Sequence, residues 1–221
     1  MRDTDRATRS PAAGRIVKMT MNYFVLAPNA NDTSAYVSGV PAAITKAYQL
    51  CQGISRRAGW PDNVEFQLSD GAELGLSKRA ASRMSSMPDY VENSKTWHIC
   101  SGALANVIAD AAAVDVELLP ATILDHKGRP AKRDYFIVNV LPLIEAVDRN
   151  ASVFMPSSAT PSAIFSFTRL VLDHRVLQHE PAIFRLKEEH QTTLVREDVV
   201  KTLASSGLTG FRFIEPANYN Q

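Results

Sequence analysis

The amino-acid sequence predicts an α+β fold with a mainly antiparallel sheet and three or four helices packed on it. Short runs of alternating or continuous apolar residues, typical of strands, recur along the chain. Segments with helical periodicity interrupt these runs without forming a repeating βαβ unit, which argues against a parallel sheet. Hydrophobic residues make up 45% and charged residues 21% of the chain, so a packed core is feasible and a fibrous or fully disordered chain is excluded.

The charge balance provides no general attraction to nucleic acid or to an anionic membrane. Lys and Arg number 24 against 23 Asp and Glu, which leaves a formal net charge of +1. The longest apolar runs fall well short of the roughly 20 residues that a membrane span requires. Cys51 and Cys100 lie outside any metal-binding spacing, so the sequence predicts neither a zinc site nor a disulfide framework. We expect a cytoplasmic protein that uses no metal or cofactor.

Residues 1–20 are predicted to form a disordered leader, with a basic anchor as the alternative. Met19 and Met21 directly precede the first strand-like run, so either is a candidate for the true start. Without the leader, 19 of the 24 cations and 21 of the 23 acids remain, a net charge of −2. We expect an N-terminal α+β portion over 21–100 and a C-terminal one over 101–217, or one continuous domain that spans both.

The N-terminal portion is predicted to begin with a strand over 22–27 that Pro28 ends. Pro41 then stands at a plausible helix start, and apolar residues recur after it at helical spacing until Gly53. A short alternating strand follows over 64–68. The rest of residues 53–97 carries no clear pattern.

The C-terminal portion opens with a helix from the N-cap Ser101 to about Val114. In the strand that follows, Asp115 and Glu117 point to one side, which we expect to be the solvated face. A pair of catalytic carboxylates is the alternative interpretation of these two residues.

Residues 125–130 read as a hairpin tip before a strand over 135–140. Nearly every position of this strand is apolar, which predicts burial on both faces. Asn139 is the exception, and we expect it to hydrogen-bond a neighbouring loop. The tip and its flank carry four cations between Lys127 and Arg133, for which nucleic-acid binding is the alternative to an ordinary solvated turn.

The remaining elements follow from the same two periodicities and from helix-end signals. The predicted order is a short helical turn over 142–148, a strand over 165–168, a strand over 182–186, a helix from about Glu197 to Gly207 and a last strand over 210–214. After Arg169 the alternation of the strand over 165–168 breaks, which indicates either a bulge near Arg169 or a strand buried on both faces.

No catalytic motif with a recognised spacing, such as a phosphate-binding glycine loop, a nucleophile elbow or a zinc-protease motif, occurs in the sequence. The densest group of titratable residues is Asp173, His174 and Arg175 with His179, and it carries the alternative hypothesis of a small-molecule enzyme. Adjacent residues on a strand face opposite ways, so Asp173 is poorly placed to orient His174. We expect a surface loop there and assign no catalytic residue.

The order of short motifs between Tyr135 and Pro216 resembles immunity family eleven of the bacterial polymorphic toxin systems. The motifs are YFIVNVL at 135–141, VD at 147–148, LVLD at 170–173, IFRL at 183–186 and GLTGFRF at 207–213. Arg196 departs from the family pattern, in which Ser often caps the following helix. This departure weakens the helix start by about 1 kcal/mol at most.

The resemblance implies an immunity protein that binds a cognate toxin effector domain, nucleases among the toxin classes, and neutralises it by non-covalent occlusion of its active site or surface. A nuclease would present a basic substrate channel, which favours an acidic patch on its inhibitor. Ordinary solvated charge is the alternative for each candidate acid. The predicted partner-binding acids are Asp173, Glu180, Glu188, Glu189, Glu197 and Asp198.

Overall fold

The computed structural model describes residues 21–29, 35–69, 87–112, 115–125, 127–177 and 181–220. The predicted leader lies outside these ranges, as do His179 and Glu180. Within them the chain forms β1 (Tyr23–Pro28), β2 (Tyr36–Val37), β3 (Glu65–Gln67), β4 (Tyr90–Asn93), β5 (His98–Ser101), α1 (Gly102–Ala112), β6 (Val116–Leu124), β7 (Tyr135–Val140), β8 (Leu143–Ile144), β9 (Val153–Pro156), β10 (Ile164–Arg169), β11 (Ile183–Leu186), β12 (Thr193–Arg196), α2 (Glu197–Ser205) and β13 (Phe211–Ile214).

Six strands form a sheet in the order β2-β4-β5-β7-β6-β3, with antiparallel pairs in the centre and a parallel pair at each edge. The two edges meet, because Val37 and Leu68 form an antiparallel bridge and the Ser69 N–H donates to the Tyr36 carbonyl at 2.8 Å. The sheet therefore closes into a small barrel. Its buried interior includes Phe66, Val91, Ile99, Leu119 and Ile137.

A five-stranded sheet lies beside the barrel in the order β13-β1-β12-β11-β8. Its strand β1 comes from the start of the chain and pairs antiparallel with β12 and β13 from the end. Alternate residues of its strands face two different cores: Ile183 and Val195 pack toward the barrel, and Phe184 and Leu194 pack away from it.

Both α-helices pack in the layer between the barrel and the five-stranded sheet. The Ser101 hydroxyl accepts from the Leu104 N–H at 3.4 Å at the start of α1, whose buried face contacts β5, β6 and β7. Two acids occupy the first turn of α2, where carboxylates suit the helix dipole. Helix α2 buries Val199 and Leu203 against β12, β1 and α1.

The β9–β10 hairpin covers the far side of the five-stranded sheet. Ile164 and Phe167 of β10 are buried there with Phe184 and Leu194 of the sheet. The described chain therefore forms three layers, namely the barrel, the five-stranded sheet and the hairpin, with the helices filling the junction between the first two.

Several predicted elements are confirmed. Strands β1 and β7 and helices α1 and α2 lie within two residues of their predicted bounds, and β7 is buried on both faces. The register of β10 shifts between Phe167 and Arg169, as the break in alternation indicated. The Asn139 side chain donates to the Ile54 carbonyl at 3.0 Å, which is the expected bond to a neighbouring loop.

The number of helices was predicted wrongly, because the described chain has two α-helices instead of three or four. The predicted helix between Pro41 and Gly53 is only a 3-10 turn over Ala47–Cys51, preceded by Lys46 in the left-handed region with φ of 53°. The predicted helical turn over 142–148 contains strand β8, which pairs with β11. In the second segment the pairing of β8 with β11 overrides a short local pattern.

The prediction that Glu117 faces solvent is also wrong, because its side chain is only 5% exposed. The carboxylate accepts hydrogen bonds from the Ser55 hydroxyl at 2.5 Å, the Arg56 N–H at 2.8 Å and the Asn139 amide at 3.0 Å. Burial acts to raise its pKa, but these bonds outweigh burial and the pKa is lowered. Glu117 thus holds the segment after the 3-10 turn against β6 and β7, and it is no partner for Asp115 in catalysis.

Two glycines near the C-terminus provide a matched test of how β13 packs on the barrel. Gly207 and Gly210 both have positive φ, 72° and 94°. A Cβ atom at Gly207 would meet nothing within 4 Å, whereas one at Gly210 would lie 2.3 Å from the Tyr90 carbonyl oxygen. We expect Gly207→Ala to lower the free energy of unfolding by about 1 kcal/mol and Gly210→Ala by about 3 kcal/mol or more. Urea unfolding measures both, and equal losses would contradict this packing.

Candidate functional site

Three of the predicted partner-binding acids are paired with basic side chains of this chain. Asp173 lies 2.7 Å from Arg175, Glu197 lies 2.7 Å from Lys201, and Asp198 lies 2.7 Å from Arg196. The hydrogen bonds from Arg175 lower the pKa of Asp173 to about 2. Each of these carboxylates therefore has its charge offset before any partner approaches.

Glu188 and Glu189 lie in the predicted turn between β11 and β12, but both side chains are buried. A Glu188 oxygen accepts from the Val147 N–H at 3.0 Å, and Glu189 accepts from the Gln191 and Thr192 N–H groups at 2.9 and 2.8 Å. These acids organise backbone turns and present no carboxylate to solvent. Glu180 lies outside the described residues, and a partner-binding role for the six acids stays a prediction.

The alternative enzyme site is not assembled in the described part of the chain. Both oxygens of the Asp173 carboxylate accept hydrogen bonds from Arg175. His174 lines a cavity of about 400 Å³ with Asn22 and Glu215, and Asp173 is not part of that lining. His179 lies outside the described residues, and no cluster of three metal-ligating side chains occurs among the residues that are described.

The basic cluster between Lys127 and Arg133 is partly neutralised. Asp125 accepts hydrogen bonds from the Lys127 N–H and from the backbone and side chain of Arg129, which lower its pKa to about 2. Arg133 lies 3.0 Å from the buried carboxylate of Asp89. Two of the four cations are therefore bound to acids, which leaves a weak basis for nucleic-acid contact.

One buried polar group lies where the barrel meets the five-stranded sheet. The His98 ring of β5 lies 2.9 Å from the Tyr90 hydroxyl through Nδ1 and 2.8 Å from the Thr193 hydroxyl of β12 through Nε2. Burial, with a further contribution from the charge of Arg185, holds the pKa of His98 well below its usual value. The neutral ring thus connects the two sheets through both of its nitrogens.

Arg185 lies close to this histidine and is only 1% exposed. Its guanidinium donates to the carbonyls of His190 at 2.8 Å and Thr96 at 3.3 Å, while Nε is buried without a hydrogen-bond partner in the described structure. Thr96 has φ of 55°, a conformation that β-branched residues rarely adopt. The burial of Arg185 was not predicted, because local alternation does not show whether both faces of a strand are covered.

A crevice of about 230 Å³ opens beside His98, lined among others by Tyr90, Glu92, Arg212 and Tyr219. Sites for small organic ligands are generally larger, at roughly 300–1,000 Å³. Both ring nitrogens of His98 are also engaged within the protein. We therefore interpret this group as a structural connection between the sheets and not as an acid–base centre.

The exposed apolar side chains concentrate on the β9–β10 hairpin. Of the seven large hydrophobic residues that are exposed in the described chain, three lie on this hairpin: Val153 at 51%, Met155 at 59% and Phe165 at 68%. Phe154 and Phe167 pair across the strands and face the core, so the alternate positions face outward. We call Val153, Met155 and Phe165 the hairpin patch.

Two arginines accompany the hairpin patch. Arg169 lies directly opposite Val153 in the register and donates to the Ala151 carbonyl. Arg149 donates to the Ser162 carbonyl, and its guanidinium lies 5.5 Å from the centre of the Phe154 ring. Neither guanidinium forms an ion pair with a residue of the described chain. The sequence predicted β10 but neither β9 nor this patch, although the alternation of Val153 and Met155 with Phe154 was a usable signal.

Comparison with known proteins gives one family. Residues 22–218 match the model of an immunity protein family, Imm11. The match extends the resemblance seen over 135–216 to the N-terminal strands and the barrel. A comparison with curated proteins found no match to the chain. None of the helices in the described part of the chain has the length and apolar character needed to cross a membrane.

The buried neutral state of His98 predicts a specific dependence of stability on pH. Because its folded pKa lies below the unfolded value of about 6.5, the unfolded chain binds the proton first as pH falls. The stability from neutral His98 is complete above about pH 6.5 and decreases by about 1.4 kcal/mol per pH unit below it, until the folded pKa is reached.

His98→Gln keeps a donor and an acceptor but removes this titration. We expect the variant to be less stable than the wild type by about 1–3 kcal/mol at pH 7.5, and we expect that difference to shrink at pH 5.5. Urea unfolding at the two pH values measures it, with the exposed His174→Gln as control. A difference that stays constant between the two pH values would contradict a neutral buried His98.

Proposed function

The chain belongs to the immunity protein family Imm11, and on that premise we propose that it protects its host cell by binding a cognate bacterial toxin. The match over residues 22–218 is the observation that carries this proposal. The proposed partner is the effector domain of a toxin of a polymorphic toxin system, used in competition between bacteria and encoded beside this protein. The proposed place of action is the cytoplasm of the protected cell.

The geometry supports inhibition by binding and not by chemistry on the toxin. Two of the acids that the sequence offered for catalysis are engaged in internal bonds: Asp173 with Arg175, and Glu117 with the segment at Ser55. Three of the large apolar side chains that are exposed in the described chain instead lie together on the β9–β10 hairpin. A protein that occludes its partner requires a complementary surface and no reactive group.

Nucleases are among the toxin classes that the resemblance implies, and the ion pairs of two predicted acids indicate how such a toxin would be bound. Glu197 and Asp198 lie at the start of α2 with basic side chains bound to them. An acidic surface that imitates nucleic acid would require free carboxylates, and these two have internal partners. We therefore propose occlusion of a toxin surface in preference to charge imitation inside a nucleic-acid channel.

Co-expression with the cognate toxin domain tests the proposed function. We expect cells that carry the toxin domain to form colonies as well as cells that carry an inactive toxin when this chain is present. The two proteins should also co-purify in a 1:1 ratio, since a non-covalent inhibitor acts stoichiometrically. A toxin domain from a different system, which this chain should neither bind nor neutralise, is the control. Failure of both rescue and co-purification would refute the proposal.

A further inference from the structure

We infer that the hairpin patch docks the toxin effector domain, and that the toxin contributes an apolar surface bordered by acidic side chains. This inference rests on the proposed function, because the occupant is the toxin. Beyond that function, the inference assigns the surface of this chain that contacts the toxin and the kind of side chains that the toxin presents to it.

The two faces of the hairpin differ in how far their apolar side chains are covered. The inner face is covered, because Phe167 is only 1% exposed and Phe154 is packed against the same core. The outer face carries Met155 and Phe165 at 59% and 68% exposure, side by side where the register shifts around Phe165. Aromatic residues and methionine are enriched at the centres of protein interfaces.

The positive charge beside the hairpin patch determines which partner surface it fits. From Arg149 to Arg169 the sequence contains these two arginines and no acidic residue. Neither guanidinium forms an ion pair in the described structure: each donates to a carbonyl oxygen, and that of Arg149 also lies over the Phe154 ring. Neither positive charge is therefore neutralised by an acid in direct contact. Electrostatic complementarity therefore requires acidic side chains on the toxin around the apolar contact.

The same charges exclude one mode of docking. The substrate channel of a nuclease is positively charged, and it would repel Arg149 and Arg169. The hairpin patch therefore fits a site outside such a channel, from which the bulk of this chain blocks access. The proposed docking surface is therefore basic, whereas the sequence predicted an acidic one.

The hairpin is also held by hydrogen bonds within itself and to the sheet beneath it. Its strands pair with each other, and the Ile164 N–H donates to the Glu188 carbonyl at 2.7 Å, which attaches the start of β10 to the turn after β11. A surface that is already ordered loses little conformational entropy when it binds.

Calorimetric titration of the purified full chain against an inactivated cognate toxin domain tests the inference. Met155→Ser combined with Phe165→Ser should weaken binding by at least about 30-fold, since central apolar residues act as hot spots. Arg169→Glu should weaken binding by about tenfold and reduce its dependence on salt, whereas Arg169→Lys should bind like the wild type. Thermal unfolding of each variant should stay close to the wild type, because these side chains are exposed.

Tyr48→Ser is the matched control, because Tyr48 is 61% exposed and lies on a different surface. If the wild type binds the toxin and the hairpin variants bind equally well, this docking surface is refuted while the proposed function stands. If the wild type itself does not bind, the proposed function fails. A dimer of the chain alone that Phe165→Ser dissociates would assign the patch to self-association and overturn the inference.

Discussion

The arrangement of the three layers depends on a few buried polar side chains that connect the barrel to the five-stranded sheet. His98 of β5 and Thr193 of β12 lie 2.8 Å apart, and Arg185 of β11 reaches the carbonyl of Thr96. Asp89 accepts from Ser101 at 2.8 Å and from the Thr209 N–H at 2.9 Å. A buried polar group without a partner costs a few kcal/mol, so these bonds permit one relative position of the two sheets.

The polar groups in these buried bonds stabilise the fold and are not accessible to a partner. The junction contains a histidine, a tyrosine and an arginine in close proximity, a composition that would suggest catalysis in an open pocket. Here each contact is directed at another part of the chain, and His98 is neutral and bonded on both sides. The outer surfaces remain open to a partner, and three of the seven large apolar side chains that are exposed in the described chain lie on the hairpin.

Local periodicity predicted the elements whose pattern spans several turns or residues, such as α1, α2 and β7, and a bulge near Arg169 was one of the two explanations it offered for the break in alternation there. It did not predict burial that depends on distant segments. Glu117 is covered by Ser55, 62 residues away in the sequence, and Arg185 is covered by the turn at Thr96. Alternation alone predicts that a charged residue in a strand faces solvent. Only the tertiary structure shows whether another segment covers that face.

The same limit explains why the candidate surface was missed. Alternation assigns Phe154 and Met155 of β9 to opposite faces, but it does not tell which face has a covering layer. Two strands alone are at most marginally stable, so the packed inner face is what holds the hairpin. The outer apolar residues add little to that packing and expose hydrophobic area to water. A binding partner supplies the physical reason for keeping large apolar side chains where the fold itself does not require them.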